Sequence, residues 1–590
     1  MNIRKSLFFF FLLLSLAANA QNPYVTVLKT DNPGSTASNQ VLIPSYGTYT
    51  YTWVEVGNPA NTGSGASAAP GGGGQTYTNI TFPSAGTYQL TITPSGLTPF
   101  NRIWWSISPT GNDRQKILDV VQWGDVAWSS MDGAYAGCAN LTLTATDTPN
   151  LTNVTNMNST FSGTSSIVGA SIGNWDVSHV TSMQFTFGNS VFNQPIGNWN
   201  VGNVTDMYRM FFGAASFNQP IGNWDVRNVT NMEGMFMNAP SFNQPLNSWD
   251  VSHVTNMSWM FCDFTLPYAS AFNQPIGNWD VSNVTNMSTM FSNATSFNQD
   301  ISTWDVGSVT DMNTMFSGAT VFNSDISSWD VSNVANMFDM FRTARAFNQN
   351  LGDWDLSGLS SGNRARFMLY NSGLSCENYS RTLFGWANNP LTPSGINLDN
   401  TFPLKYGAAA VAARNTLTTT KGWAILNDAL DASCTVALPV VFGNISAFVK
   451  NGQLTINWAT LTETNNSHFE IEASADGKTF TKIGEVKSKG INGSSTGTLD
   501  YTFGSDLARG SLAAAFALLL GVFSVKQSRR KLRVISLVLL GVSALWVSCS
   551  KIDSDAINLN GSNRQAFIRI AQVDIDGAKY YSRIIKVITE

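Results

Sequence analysis

The sequence predicts a mainly β chain with short helices, organised as a solenoid of roughly 25-residue repeats flanked by β-sandwich domains. Three observations carry that prediction. One phrase recurs from about residue 150 to residue 356, most clearly as FNQPIGNWDVSNVTNMSTMF from Phe272 to Phe291. Its tryptophans stand at Trp175, Trp199, Trp224, Trp249, Trp279, Trp304, Trp329 and Trp354, in steps of 24, 25, 25, 30, 25, 25 and 25 residues. A fixed period of that size marks a stacked array. On either side, apolar and polar residues alternate in short bursts between Gly, Pro and Ser runs, which is the patterning of strands and turns. Charge is also sparse, 12% of residues against about 25% in ordinary domains, so Asn, Ser, Thr and Gly supply the polarity.

Taken in order, residues 1–20 read as a secretory signal: Arg4 and Lys5, an apolar run from Leu7 to Leu16, then Ala18-Asn19-Ala20 before Gln21. The run is too short to span a bilayer, so export is expected. Residues 21–112, with VTVLKT, YTYTWVEV and TYQLTIT, form an expected N-terminal β-sandwich. Residues 113–360 are the array, the divergent stretch from Ile117 to Leu141 being its first coils. Each copy holds I-x-x-W-x-V, as in Ile221, Trp224 and Val226, the L-x-x-L-x-L spacing of a leucine-rich-repeat-like solenoid. A strand is expected there, with Trp224 and Val226 sharing a face that Asp225 does not. V-T-N-M-x-x-M-F, with Val229, Met232 and Phe236 at three- and four-residue steps, is expected as a short helical turn. F-N-Q-P then turns the chain into the next copy. No single copy can bury these apolar residues, whereas stacked neighbours close a continuous core. The Trp and Met columns are therefore core rather than a cofactor box, and the five extra residues around Phe261–Ala271 are a loop insertion.

Residues 361–435 form the expected opposite cap, with an Ala-rich helix candidate from Gly407 to Thr416. Strand patterning resumes in residues 436–503 and 564–590, a β-sandwich split by residues 504–563. In that insertion two 14-residue apolar runs, Leu512–Val525 and Val534–Val547, flank KQSRRKLR, Lys526 to Arg533. One reading is a membrane hairpin engaging the bacterial membrane through residues 512–547, its basic loop on the cytoplasmic side. The other is a lipoprotein-like signal, Trp546-Val547-Ser548-Cys549, with Cys549 as the acylated residue. A sandwich of this size has no room for two wholly apolar helices.

A net charge of −5 and no basic stripe argue against nucleic acid. Cys138, Cys262, Cys376, Cys434 and Cys549 are too few for a disulfide scaffold and single out no pairing. There is no H-E-x-x-H, no G-x-S-x-G and no phosphate-cradling loop. His179 and His253 share a column that elsewhere holds Asn203, Asn283 or Asn333, so neither reads as catalytic; His468 starts a strand with no nucleophile motif nearby. Asp225, Asp250, Asp280, Asp305 and Asp330, with Asp176 and Asp355, form an acidic column whose neighbours repel by about 0.9 kcal/mol at 4.8 Å in water. Each is expected to accept a backbone N–H two residues on, as in an Asx-turn, rather than to hold a row of Ca²⁺, because the repeat lacks G-G-x-G-x-D. No cofactor is expected. With Asn174, Asn198, Asn223 and Asn278, two residues earlier, the column makes a polar strip along the sheet, the candidate recognition face. The Asn column from Asn193 to Asn348 is expected to be a turn ladder that satisfies backbone groups.

The phrase W-D-V-S-N-V-T-N-M-x-x-M-F…F-N-Q, from Trp175 to Gln349, resembles the BspA-type leucine-rich-repeat surface proteins of bacteria. So do QWGDVAW at Gln122–Trp128, ENYSRTLFGW at Glu377–Trp386, ARNTL and KGWAI, which extends the resemblance over about residues 21–430. NNSHFEIEASADGKTFTKIGEV and IAQVDIDGAKYYSRIIKV resemble the fibronectin type III-like modules of secreted Bacteroidetes proteins. These resemblances imply a secreted or membrane-anchored cell-surface protein, without enzymatic activity, that adheres to an extracellular protein or glycan. A structural envelope or matrix spacer is the alternative, and a carbohydrate-active enzyme a third.

Overall fold

The computed structural model describes residues 22–589 except 106–112, 266–269, 437–439, 475–476, 507–565 and scattered single positions. The expected signal, both apolar runs of the insertion and Cys549 lie outside the described residues. The described chain is mainly β with a few short helices.

Nine strands open the chain: β1 (Tyr24–Lys29), β2 (Gln40–Tyr46), β3 (Thr48–Glu55), β4 (Asn58–Ala66), β5 (Gln75–Thr81), β6 (Thr87–Ser95), β7 (Arg102–Ile103), β8 (Ile117–Gln122) and β9 (Thr142–Leu143). They form a six-stranded sheet, β4-β3-β6-β1-β8-β9, and a three-stranded sheet, β5-β2-β7. Alternate residues such as Tyr88, Leu90 and Ile92 of β6 are buried, as period-2 patterning requires. The six-stranded sheet crosses the expected boundary at residue 112. Its last pair, β8 with β9, is parallel, and parallel pairing then continues through the repeats, from Ala127↔Asn150 and Asn156↔Ser182 to Asp311↔Asn336. The stretch before residue 141 already bonds as the later copies do: Met131 and Gly133 N–H donate to the Asn156 and Asn158 carbonyls.

Within the repeats neither local expectation holds. I-x-x-W-x-V is a run of tight turns, with Trp224 N–H on the Ile221 carbonyl and Val229 N–H on the Val226 carbonyl, instead of a strand. V-T-N-M-x-x-M-F is not helical. Met207, Arg209, Phe211 and Gly213 donate to Asn231, Glu233, Met235 and Met237 of the next repeat, while Met210, Phe212 and Ala214 donate three residues back within their own. With Tyr208 N–H on Asp206 Oδ1 at 2.9 Å, every N–H from Met207 to Ala214 is satisfied. A series of three-residue turns places Met, Met and Phe on one face as well as a helix does, and so the apolar spacing could not separate the two.

Side chains supply the remaining links between repeats. Trp199 Nε1–H donates to the Ile172 carbonyl at 2.8 Å, and the bond recurs at Trp224, Trp249, Trp279, Trp304, Trp329 and Trp354. A buried indole N–H gains from such a partner, although Trp175, first in the column, has none among the described residues. The Phe rings stack in register, Phe211 on Phe236 at 5.6 Å and Phe236 on Phe261 at 5.7 Å. One apolar core runs unbroken from Tyr24 to Ile425.

Helix α1 (Cys376–Asn388) lies over the last copy, its Ser375 cap accepting from Asn378 N–H. Trp386 continues the indole column by donating to the Leu351 carbonyl at 2.8 Å. Gly385 rests on Gly352, so closely that a Cβ on it would stand 2.3 Å from the Gly352 carbonyl oxygen. Two parallel pairs extend the stack: β10 (Asn397–Asn400) with β12 (Ala424–Leu426), and β11 (Lys405–Tyr406) with β13 (Ala429–Leu430). The Ala-rich stretch does form a helix, α2 (Val411–Asn415). Cys376 and Cys434 are disulfide-bonded across this cap.

The last module has its own core, including Trp458, Phe469, Tyr501 and Ile568. One sheet orders β18 (Leu499–Asp506), β15 (Gln453–Thr462), β14 (Val441–Lys450) and β22 (Ile588–Thr589). The other orders β17 (Thr481–Lys487), β16 (Asn466–Ser474), β19 (Phe567–Asp574) and β20 (Lys579–Tyr581), with β21 (Ile585–Lys586) also on β19. Pairing of β16 with β19 joins chain from both sides of the insertion.

Candidate recognition surface

The expected strip is present, but on turns and not on a sheet. Asn174, Asn198, Asn223, Asn278, Asp225, Asp250, Asp280, Asp305 and Asp330 are all exposed. Each carboxylate accepts a backbone N–H two residues on, from 3.4 Å at Asp225 to 3.0 Å at Asp330. Hydroxyls of Ser252, Ser282 and Ser332 add bonds of 2.6 Å to Asp250, Asp280 and Asp330. The Ser252 hydroxyl and then its N–H hold the Asp250 carboxyl below its ordinary range. Of the column two residues earlier, Asn278 donates to the Asn247 carbonyl at 2.7 Å, and Ser248 and Thr303 make the equivalent bond. The Asn193 series is the expected ladder: its side-chain oxygen accepts Asn218 N–H and Gln219 Nε2–H, both at 2.9 Å. These groups fasten turns and tie one repeat to the next, with nearly the same chemistry in every copy. Among the described residues no group of three or more His, Cys, Asp or Glu is placed to hold a metal ion.

A second row of side chains was not foreseen. Two positions adopt the left-handed backbone conformation in every repeat from Ser159 to Phe367 except that of Trp259, where only the first does. The second is filled by Gly163, Asn189, Gly213, Asn238, Asn293, Gly318, Thr343 and Asn371, nearly all the residue types that tolerate positive φ. The first carries Ser159, Phe185, Arg209, Gly234, Trp259, Thr289, Thr314, Asp339 and Phe367, with φ between 51° and 63°. Left-handed φ is unfavourable for aromatic and β-branched residues. Backbone stability therefore selects the second column and not the first.

Around the first column the residues are large and differ from copy to copy. Arg209 lies over Tyr208 at 5.0 Å, Phe212 at 5.6 Å and Phe185 at 5.8 Å, with Glu233 at 3.7 Å. Towards the other end Arg342 pairs with Asp339 at 3.2 Å and lies over Tyr370 at 5.5 Å. Arg366 lies 4.5 Å over Phe367 and pairs with Asp399 at 2.6 Å. Aromatic and Arg side chains of this kind dominate recognition surfaces. Alignment of the copies with one another would have exposed the row, because these are the places where an otherwise monotonous phrase changes.

The architecture and this row define an array of stacked, turn-built repeats with one variable face. Residues 129–192, 155–266 and 265–378 match a repeat family described as Mycoplasma protein of unknown function, DUF285. The matched repeats make up under half of the chain. No curated protein and no solved structure matches the chain.

Proposed function

We propose that the chain is an exported, non-enzymatic surface-recognition protein, an adhesin whose leucine-rich-repeat-like solenoid engages an extracellular protein or glycan. The observation that carries this is the contrast between the two left-handed columns: one is chosen for backbone ease, the other carries Phe, Arg, Trp and Thr at a conformational cost. Strained positions that persist are a reason to look for function. The Cys376–Cys434 disulfide supports an oxidising, extracytoplasmic location. Residues 436–503 and 564–590 act as a fibronectin type III-like module beside the membrane, held there by the apolar insertion as a hairpin or by acylation of Cys549. The uniform Asn/Asp strip favours a second reading, a structural spacer for the envelope or matrix. An array of matrix proteins and glycans, probed with the purified full chain, tests the choice. Saturable binding to a narrow ligand class supports recognition; no binding by protein shown to be folded supports the spacer.

A further inference from the structure

Resting on the recognition reading, we infer that a cavity at the far end of the variable face is a subsite for an acidic sugar residue, a uronate or sialate, within a glycan chain. The cavity measures about 290 Å³ and is lined by Asn313, Asn336, Phe338, Asn363 and Arg364. That is the lower end of the size range for ligand pockets, fitting one sugar unit. A carboxamide donates and accepts at once, which suits neighbouring hydroxyls, and an aromatic face suits the C–H side of a sugar ring. A guanidinium matches a carboxylate with two parallel hydrogen bonds.

The bonding state of the five residues separates wall from contact. Asn336 is committed to the protein: its oxygen accepts Phe338 N–H and its amide donates to Asp311, both at 3.3 Å. Asn363 has its oxygen taken by Asn397 at 2.8 Å, which leaves the amide end to donate. Asn313 Oδ1 is buried and has no partner in the protein. Arg342 and Arg366 are paired with Asp339 and Asp399, whereas Arg364 is exposed and forms no carboxylate pair among the described residues. The site thus offers a donor, an acceptor, a ring and one uncommitted cation. A single cation without a cluster of N–H groups around it suits a carboxylate better than a polyphosphate.

Calorimetric titration of the full chain with oligogalacturonate and 3′-sialyllactose, against maltotetraose and lactose as neutral controls, tests the subsite. An acidic probe is expected to bind, with affinity at least tenfold lower in Arg364→Gln and in Asn313→Ala and with unchanged melting temperature in Arg364→Gln. Equal affinity for acidic and neutral probes, or full affinity in Arg364→Gln, overturns it. If no acidic probe binds while another ligand is lost on Arg209→Ala, the subsite falls and the recognition reading stands. If nothing binds across the wider array, both fall.

Discussion

At the scale of single residues, this array is joined as much by side chains as by backbone. From Trp199 to Trp354 each indole N–H of the column caps a carbonyl of the preceding copy, and so Trp304 is a structural link to Ile276. Trp304→Phe keeps an aromatic ring but leaves that carbonyl unpaired and a small void. It should destabilise the array by about 2 to 4 kcal/mol, read as a lower denaturant midpoint. The two left-handed columns should respond in opposite ways. Ser159→Gly, at φ 51°, should be neutral or stabilising by up to about 1 kcal/mol, while Asn293→Ala, at φ 56°, should cost about 1 to 2 kcal/mol. Equal losses at both would contradict the view that backbone ease selects only one column. The Asp turns and the Asn ladder were legible in the sequence because Asx bonding is local, reaching two residues along the chain or one copy across. Positive φ at Trp259 or Thr314 was not legible, because nothing in either side chain announces it.

At the scale of elements, the sequence distinguished strand from turn well where strands are conventional. YTYTWVE, TYQLTIT, LTINWAT and HFEIEAS all lie in strands, where one face is buried and alternation is enforced. Inside the repeats the same reasoning failed. Three-residue turns, helix and strand all bring Trp224, Val226 and Val229 towards a core, and the hydrogen bonds that decide between them run to a neighbouring copy. In the last module an ion cluster on β16 yields a pH prediction. Glu470 bonds Lys482 at 2.7 Å and Lys579 at 2.5 Å, with His468 at 3.8 Å. The bonds from Lys482 and then Lys579 lower its carboxyl from 4.5 to about 2. A lowered folded-state value stabilises the module above the unfolded value, and that contribution is lost as pH falls through the window between about 4.5 and about 2. Acid titration of near-ultraviolet circular dichroism should show the loss, and Glu470→Gln should be less stable at neutral pH and flatter across that window. A wild-type profile no steeper than that of the variant would argue against the cluster.

At the scale of the molecule, the period legible from the tryptophans does place the copies in one parallel stack, from the N-terminal sheet to the cap in which Trp386 continues the indole column. Its extent was not legible: the sheet before it and the cap after it share its core, because β8–β9 and β10–β12 are already parallel pairs. The stack has a uniform strip, spent on holding itself together, and a variable row whose residues the fold does not require. On the proposed recognition function, ligand binding belongs to the variable row. The measurement that tests it most directly compares ligand binding by two full-chain variants of equal melting temperature. One carries Arg209→Ala, Phe212→Ala and Arg342→Ala; the other carries Asn223→Ala, Asn278→Ala and Asp280→Asn. Loss of binding at least tenfold in the first and none in the second is the predicted result. Loss confined to the second would contradict it and return recognition to the Asn/Asp strip.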